Sequence, residues 1–239
     1  MARQIKLSAM ETAVNQAADA RRICEARFLG QVPYTNGLRL QEHAVERLKE
    51  GAGNDQLFLL EHPHVFTLGR GADASNILAN QQQLQSHSIT VHETGRGGDV
   101  TYHGPGQLVG YPIINLKPDR CDVHAYVRDL EDVLIRALAE FRITGTRIAG
   151  LTGVWVGNEK VAAIGVRIAR WITSHGFALN VNTDLQYFQM IVPCGITDKG
   201  VTSMARLTGQ TFELQEVARV VARHFGEVFA REVIQSNDE

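Results

Sequence analysis

Residues 153–181 read GVWVGNEKVAAIGVRIARWITSHGFALNV, and the fold turns on this stretch. Residues 153–156 are apolar and β-prone, Gly157-Asn158-Glu159 supplies a turn, and residues 161–168 and 171–181 form a second and a third strand. The spacing predicts an antiparallel meander. In its third strand His175, Phe177, Leu179 and Val181 alternate with Gly176, Ala178, Asn180 and Asn182. One face is bulky and suited to a core. The other is small and polar, suited to the floor of a cleft. Outward from the meander the periodicity becomes helical. A helix capped by Asp122 presents Val123, Tyr126, Val127, Leu130, Val133, Leu134, Ala137, Leu138 and Phe141. A second helix starts near Asn36, carries Leu40, Ala44, Val45 and Leu48, and stops at Gly51. A last one covers 213–231 with Val217, Val220, Val221, Phe225 and Val228 inward, and residues 57–60 read as a buried strand. The sum is an α+β chain with one core.

Composition narrows the functional classes. Lys and Arg total 24 against 26 Asp and Glu, a net charge of −2, so no basic excess points to nucleic acid. No apolar run is long enough to span a bilayer, and the stretch 1–22 lacks the apolar core of a secretory signal. Cys24, Cys121 and Cys194 are an odd, sparse set without a Cys-x-x-Cys pair, which argues against a disulfide framework or a zinc site and fits a reducing cytoplasm.

Three segments can carry chemistry. Residues 94–107, TGRGGDVTYHGPGQ, hold five glycines that free the backbone for tight turns and close ligand approach. No Gly-Lys-Ser/Thr follows, so this is no P-loop, and the glycine spacing is not that of a dinucleotide fingerprint. Arg96, Asp99, Tyr102 and His103 among the glycines favour a binding loop over a plain connection. Cys194 stands between Pro193 and Gly195, a rigid turn that would expose a nucleophile, although a lone cysteine is more often a small buried hydrophobe. Cys24 and Cys121 lack such a context. Lys160 is an ordinary solvated strand end by base rate, but beside a cysteine a lysine would hold it as thiolate. His62 and His64, without a third ligand at a sensible spacing, read as structural. His103 or His175 as the base of a Cys-His enzyme stays open on the residues alone.

Glu61-His62-Pro63-His64-Val65-Phe66-Thr67-Leu68-Gly69-Arg70, the run from Arg96 to Gln107, and Pro193-Cys194-Gly195-Ile196 followed by Val201-Thr202-Ser203 together resemble the lipoyl(octanoyl) transferase family. The resemblance runs from about Phe28 to Phe229 and leaves 1–22 as an unmatched extension before a catalytic domain over 23–239. It implies a single domain related to the catalytic domains of biotin and lipoate protein ligases, with a mixed, mostly antiparallel sheet flanked by helices. It implies transfer of octanoyl from octanoyl-acyl carrier protein, through a cysteine thioester, to a lysine of lipoyl domains. The acceptors would be 2-oxoacid dehydrogenase complexes and the glycine cleavage H protein, and the reaction the first step of endogenous lipoylation. Carried over by motif, Cys194 is the nucleophile and Lys160 the residue that lowers its pKa and shuttles protons. Substrate would meet Arg96, Gly97, Gly98, Asp99, Val100, Thr101, Tyr102 and His103, then Ala163, Ile164 and Gly165, then Gly176, Phe177 and Ala178. No cofactor, metal, nucleic acid or membrane is implied. Phe177 departs from the leucine common in the family. An acidic carrier would be met by a basic rim, for which Arg142, Arg147, Arg167 and Arg170 are candidates by sequence proximity. The rival readings are an ATP-dependent lipoate or biotin ligase, a cysteine thioesterase that lets water take the acyl group, and a non-catalytic acyl-binding module.

Overall fold

The structure is a computed structural model that describes residues 22–192 and 199–235. The meander forms as expected: β8 (Leu151–Val156), β9 (Glu159–Ala169) and β10 (Ile172–Asn180) pair antiparallel in sequence order. They extend into a nine-stranded sheet that sequence periodicity did not reveal in full. β10 pairs antiparallel with β6 (Gln107–Ile113), and β6 with β2 (Asp55–Glu61). β2 lies parallel to β1 (Arg22–Gln31), which lies parallel to β12 (Arg231–Gln235). β7 (Thr146–Ile148) closes the other edge, and β11 (Gly200–Val201) adds parallel to β9. A second, three-stranded sheet joins β4 (Thr90–Glu93), β3 (Val65–Leu68) and β5 (Val100–His103).

Helices cover both faces of the large sheet. α1 (Tyr34–Lys49) begins after Pro33, whose fixed φ suits a helix start. It lays Ala44, with Leu40, Val45 and Leu48, against Phe58, Leu60, Val109, Tyr111 and Ala178. α2 (Gln81–Ser86) is a short helix with a capping box between Asn80 and Gln83. On the opposite face lie α3 (Val123–Glu140), whose Asp122 cap accepts from the Ala125 N–H, and α5 (Leu214–Phe229), which follows α4 (Met204–Thr208). Leu130, Val133, Leu134, Val217, Val221 and Phe225 pack there on Leu57, Leu108, Phe177, Leu179 and Val181. The bulky face expected of the third strand is therefore core at Phe177, Leu179 and Val181. α5 ends at Phe229 rather than at Arg231: Ala230 turns left-handed at φ 51° and Arg231 enters β12. No helix of the described residues is long and apolar enough to cross a membrane.

One buried ion pair joins the terminal strand to the sheet. Arg231 Nε donates to Asp55 Oδ2 at 2.7 Å, and Asp55 Oδ1 accepts from the Asn115 N–H at 2.9 Å. Both side chains are almost inaccessible. Asp55→Ala is expected to strand the guanidinium and cost about 3–5 kcal/mol. Urea unfolding measures this as a lowered midpoint at unchanged slope.

Candidate functional site

The loop from Arg96 to Asp99 is held on both sides by backbone. On one side the N–H groups of Gly69, Arg70 and Gly71 donate to the carbonyls of Asp99, Arg96 and Gly98, and a Cβ on Gly69 would stand 2.2 Å from the Gly98 oxygen. On the other side Gly97 N–H donates to Val166 O at 2.9 Å, and a Cβ on Gly165 would lie 3.0 Å from Gly97 O. The Arg96 side chain, buried beneath the loop, donates through Nε and Nη2 to Thr67 Oγ1 and through Nη2 to Thr67 O at 2.6 Å.

Loop and sheet floor enclose a cavity of about 420 Å³, within the usual range for ligand sites. Every substrate-binding residue expected from sequence lines it except Tyr102. Tyr102 lies between Thr101 and His103 on a strand, and alternation turns it the other way. It is fully buried, stacks on Tyr187 at 5.0 Å and shares a 2.8 Å hydrogen bond with His64 Nδ1. Lys160 is on the wall, together with Val127 and Val201 and with Tyr34, Tyr111, Gly150, Leu151 and Phe188, the last five of which carried no sequence signal. His175, expected on the core face, faces the cavity instead. Its φ of 56° breaks the alternation, its ring meets Tyr111, and its N–H donates to Gln41 Oε1 of α1.

Cys194 lies in the segment 193–198, outside the described residues. Both flanks of that segment are anchored. Val192 N–H donates to Asn76 O at 2.8 Å, and Asn76 Nδ2 donates to Asp99 Oδ2 at 2.7 Å. After the segment, β11 pairs Gly200 with Glu159 and Val201 with Lys160, and Thr202 N–H donates to Lys160 O. Thr202 O accepts from Asn180 Nδ2 at 2.9 Å, Asn180 Oδ1 accepts from Gln107 Nε2 at 2.9 Å, and Gln107 Oε1 accepts from His103 Nδ1 at 2.7 Å. One part-buried and one buried polar chain thus tie the segment's flanks to the glycine-rich loop. Asn76, Gln107 and Asn180 were missed in sequence because a single amide carries no pattern.

Residues 33–226 match the family described as the lipoyl protein ligase A/B catalytic domain. The chain belongs to that family. It is 54% identical over 213 residues to an octanoyltransferase of Solibacter usitatus, covering 89% of this chain and 96% of the relative. To an octanoyltransferase of Koribacter versatilis it is 52% identical over 211 residues, 86% of this chain and 84% of the relative. Among solved structures, a bi-partite lipoate protein ligase from Thermoplasma acidophilum superposes with a TM-score of 0.71 over 90% of this chain and 87% of that one, at 17% identity, which speaks to the fold.

In this member of the lipoyl protein ligase A/B family, burial favours the neutral form of His62, His103 and His175. Burial first, and the neighbouring His62 next, push His103 down to about 3. Burial, then the Arg96 charge, bring His175 to about 4. Burial brings His62 to about 4, with Nδ1 donating to Val32 O and Nε2 accepting from the Tyr111 hydroxyl. His62 is thus engaged at both ring nitrogens, and His64 meets the Tyr102 hydroxyl through Nδ1. Cys24 is fully buried, and desolvation raises its thiol far above the ordinary range. Cys121 is exposed and borders no part of the cavity. Of the arginines considered for a basic rim, Arg147 is engaged with Glu131 at 2.9 Å, while Arg167 packs beside Gly95 next to the loop.

Two predictions follow from this geometry. The unfolded chain protonates histidine near pH 6.5, whereas these three resist protonation until about pH 4 or below. The unfolded state therefore binds more protons in that window, and stability should fall as pH drops from 6.5 to 4 while staying flat on their account above 7. Chemical denaturation across pH 4–8 reads the slope. The paired glycines Gly165 and Gly176 should also differ. A Cβ on Gly176 would stand 2.2 Å from Gly110 O, so the sheet itself must give. Gly176→Ala is expected to lower Tm by several degrees. Gly165→Val should keep most of the stability, displace the loop at Gly97 and abolish transfer.

Proposed function

We propose that this chain is an acyltransferase that moves an octanoyl group onto the lysine of lipoyl domains, with octanoyl-acyl carrier protein as donor and Cys194 as the covalent way-station. The observation that carries the reading is that Lys160 stands on the wall of the cavity, while the strand paired to it, β11, leads directly out of the segment that contains Cys194. A cationic neighbour has leverage on a cysteine, which is otherwise only a few per cent thiolate at neutral pH.

The resting pair is a Cys194 thiolate and a Lys160 ammonium. The thiolate attacks the donor thioester carbonyl, a C–S bond forms, and the carrier sulfur leaves with the proton of Lys160. The result is octanoyl-Cys194 and a neutral Lys160 amine. The acceptor lysine, as the neutral amine, then attacks the acyl-enzyme. Its nitrogen forms the amide, its proton passes to Lys160, and the Cys194 thiolate is expelled, closing the cycle. Exchange between thioesters is nearly thermoneutral and thioester-to-amide transfer is downhill, so no ATP enters. His103 is a poor candidate for this base. Its Nδ1 proton is committed to Gln107, and an imidazole held near pKa 3 has little affinity for another proton. Its role, with Arg96 and the residues from Gly97 to Thr101, is to shape the binding wall, together with Ala163, Ile164, Gly165, Phe177 and Ala178. Gly176 permits the sheet that carries them. The acceptors are lipoyl domains of 2-oxoacid dehydrogenase complexes and the glycine cleavage H protein, and the setting is the cytoplasm. Residues 23–239 act as one catalytic domain, with 1–22 as an extension.

Intact-mass measurement after mixing with octanoyl-acyl carrier protein is expected to show one octanoyl adduct on the native chain and on Cys24→Ala and Cys121→Ala, and none on Cys194→Ala. Addition of a lipoyl domain should discharge the adduct to the amide. Discharge to free octanoate at the same rate without acceptor would make the chain a thioesterase, and normal transfer by Cys194→Ala would end the covalent reading.

A further inference from the structure

Lys160 is seated on two residues of the neighbouring strand. β8 pairs Trp155 with Lys160 across the hairpin, so the two side chains share a face. The lysine stem runs over the backbone of Gly153, where a Cβ would lie 3.5 Å from Lys160 Cδ and Cε. Gly153 adopts φ 122°, and Glu131 of α3 holds its N–H at 3.0 Å. Beyond Gly153 the Lys160 ammonium stands over the Trp155 indole, with Nζ 4.8 Å from the ring centroid. That is within the range at which a ring quadrupole attracts a cation.

Trp155 is an unusual choice for this place if filling volume were its only task. It is 1% exposed, yet its indole Nε1 has no hydrogen-bond partner among the described residues. Phenylalanine would fill much of the same space without burying an unmet donor. What indole adds is the most electronegative ring face of any side chain, and that face is turned to the one lysine on the cavity wall. We propose that Trp155 is a positioning residue that holds the Lys160 ammonium at the cavity wall and biases its proton equilibrium toward the charged form. Its mechanistic use rests on the reading of Lys160 as proton carrier given above. A resting ammonium is what a thiolate partner requires, and a ring contact of this kind is weak enough to let the proton leave for the carrier sulfur.

Other charges act on the same group. Glu159 lies on its own strand and is paired to Arg206 at 3.2 Å. Glu131 faces β8 from α3 and is paired to Arg147. Lys199, beside β11, donates to Asn158. Arg96, Asp99, His103 and His175 line the cavity with Lys160. Substitution of Trp155 changes none of these, so the effect of the ring is separable.

The test reads the lysine directly. The chain has five lysines, Lys6, Lys49, Lys117, Lys160 and Lys199. Lysine labelled with carbon-13 at Cε therefore gives a short NMR spectrum, and the resonance absent from Lys160→Met identifies Lys160. Titrations use the full chain in a Cys194→Ala background, which removes the thiolate and its coupling. The expected result is a ring-current displacement of the Lys160 signal and a midpoint that falls in the order Trp155, Trp155→Phe, Trp155→Leu. The full drop should be about half a pH unit to one and a half. Should the leucine variant not fold, the phenylalanine variant decides alone, since one ring replaces another. Equal midpoints in all folded forms, or a rise in Trp155→Leu, would overturn the proposal by showing that solvent access outweighs the ring. Transfer assays of Lys160→Met in the Cys194 chain test the proton-carrier reading separately. Normal transfer there would remove that reading and leave the NMR result standing.

Discussion

The site depends on backbone touching backbone. The loop from Arg96 to Asp99 is threaded between the turn after β3 and the strand β9, with carbonyls and N–H groups paired on both sides. No side chain fits at the two contacts, where a Cβ on Gly69 or Gly165 would meet the loop at 2.2 and 3.0 Å. Close approach of this kind makes the loop rigid without a covalent tie and lets its main chain form a wall of the cavity. Arg96 completes the arrangement from beneath, its guanidinium saturating the Thr67 hydroxyl and carbonyl. The charge sits in a place where the small sheet, the loop and the large sheet converge.

Charge is then distributed with some economy. The imidazoles nearest the cavity are neutral because burial and the Arg96 field both oppose a second positive group. His103 and Gln107 donate along one direction, through Asn180 to Thr202 O, so the polar chain has a defined sense and the His103 tautomer is set by it. The strand of Lys160 is joined to the far end of that chain through the Thr202 N–H. The cavity wall, Lys160 and the flanks of the segment 193–198 are in this way parts of one hydrogen-bonded frame.

A relative at 54% identity over most of both chains is an octanoyltransferase, while a lipoate protein ligase at 17% identity retains the same architecture. An architecture shared at so low an identity does not choose between activating an acid and exchanging a thioester. The choice lies with the side chains placed on that frame.

The sequence by itself determined the helices at 34–49, 123–140 and 214–229 closely, because an apolar stripe of period 3.6 and a cap such as Asp122 are local properties. It also determined the meander, since alternation and turn residues are read within a few positions, and it singled out the glycine-rich loop by composition. Tertiary structure decided what no window contains. β1 and β12 are parallel neighbours over two hundred residues apart, and β6 is buried on both faces, which hides a strand's alternation. The side to which His175 turns followed from a left-handed backbone angle, and Tyr102 left the cavity by strand parity alone. Asn76, Gln107 and Asn180 acquire meaning only from their partners. Trp155 looked like core until the fold set an ammonium over its ring, because a contact between strands depends on register, and register is fixed by the packing of the whole sheet.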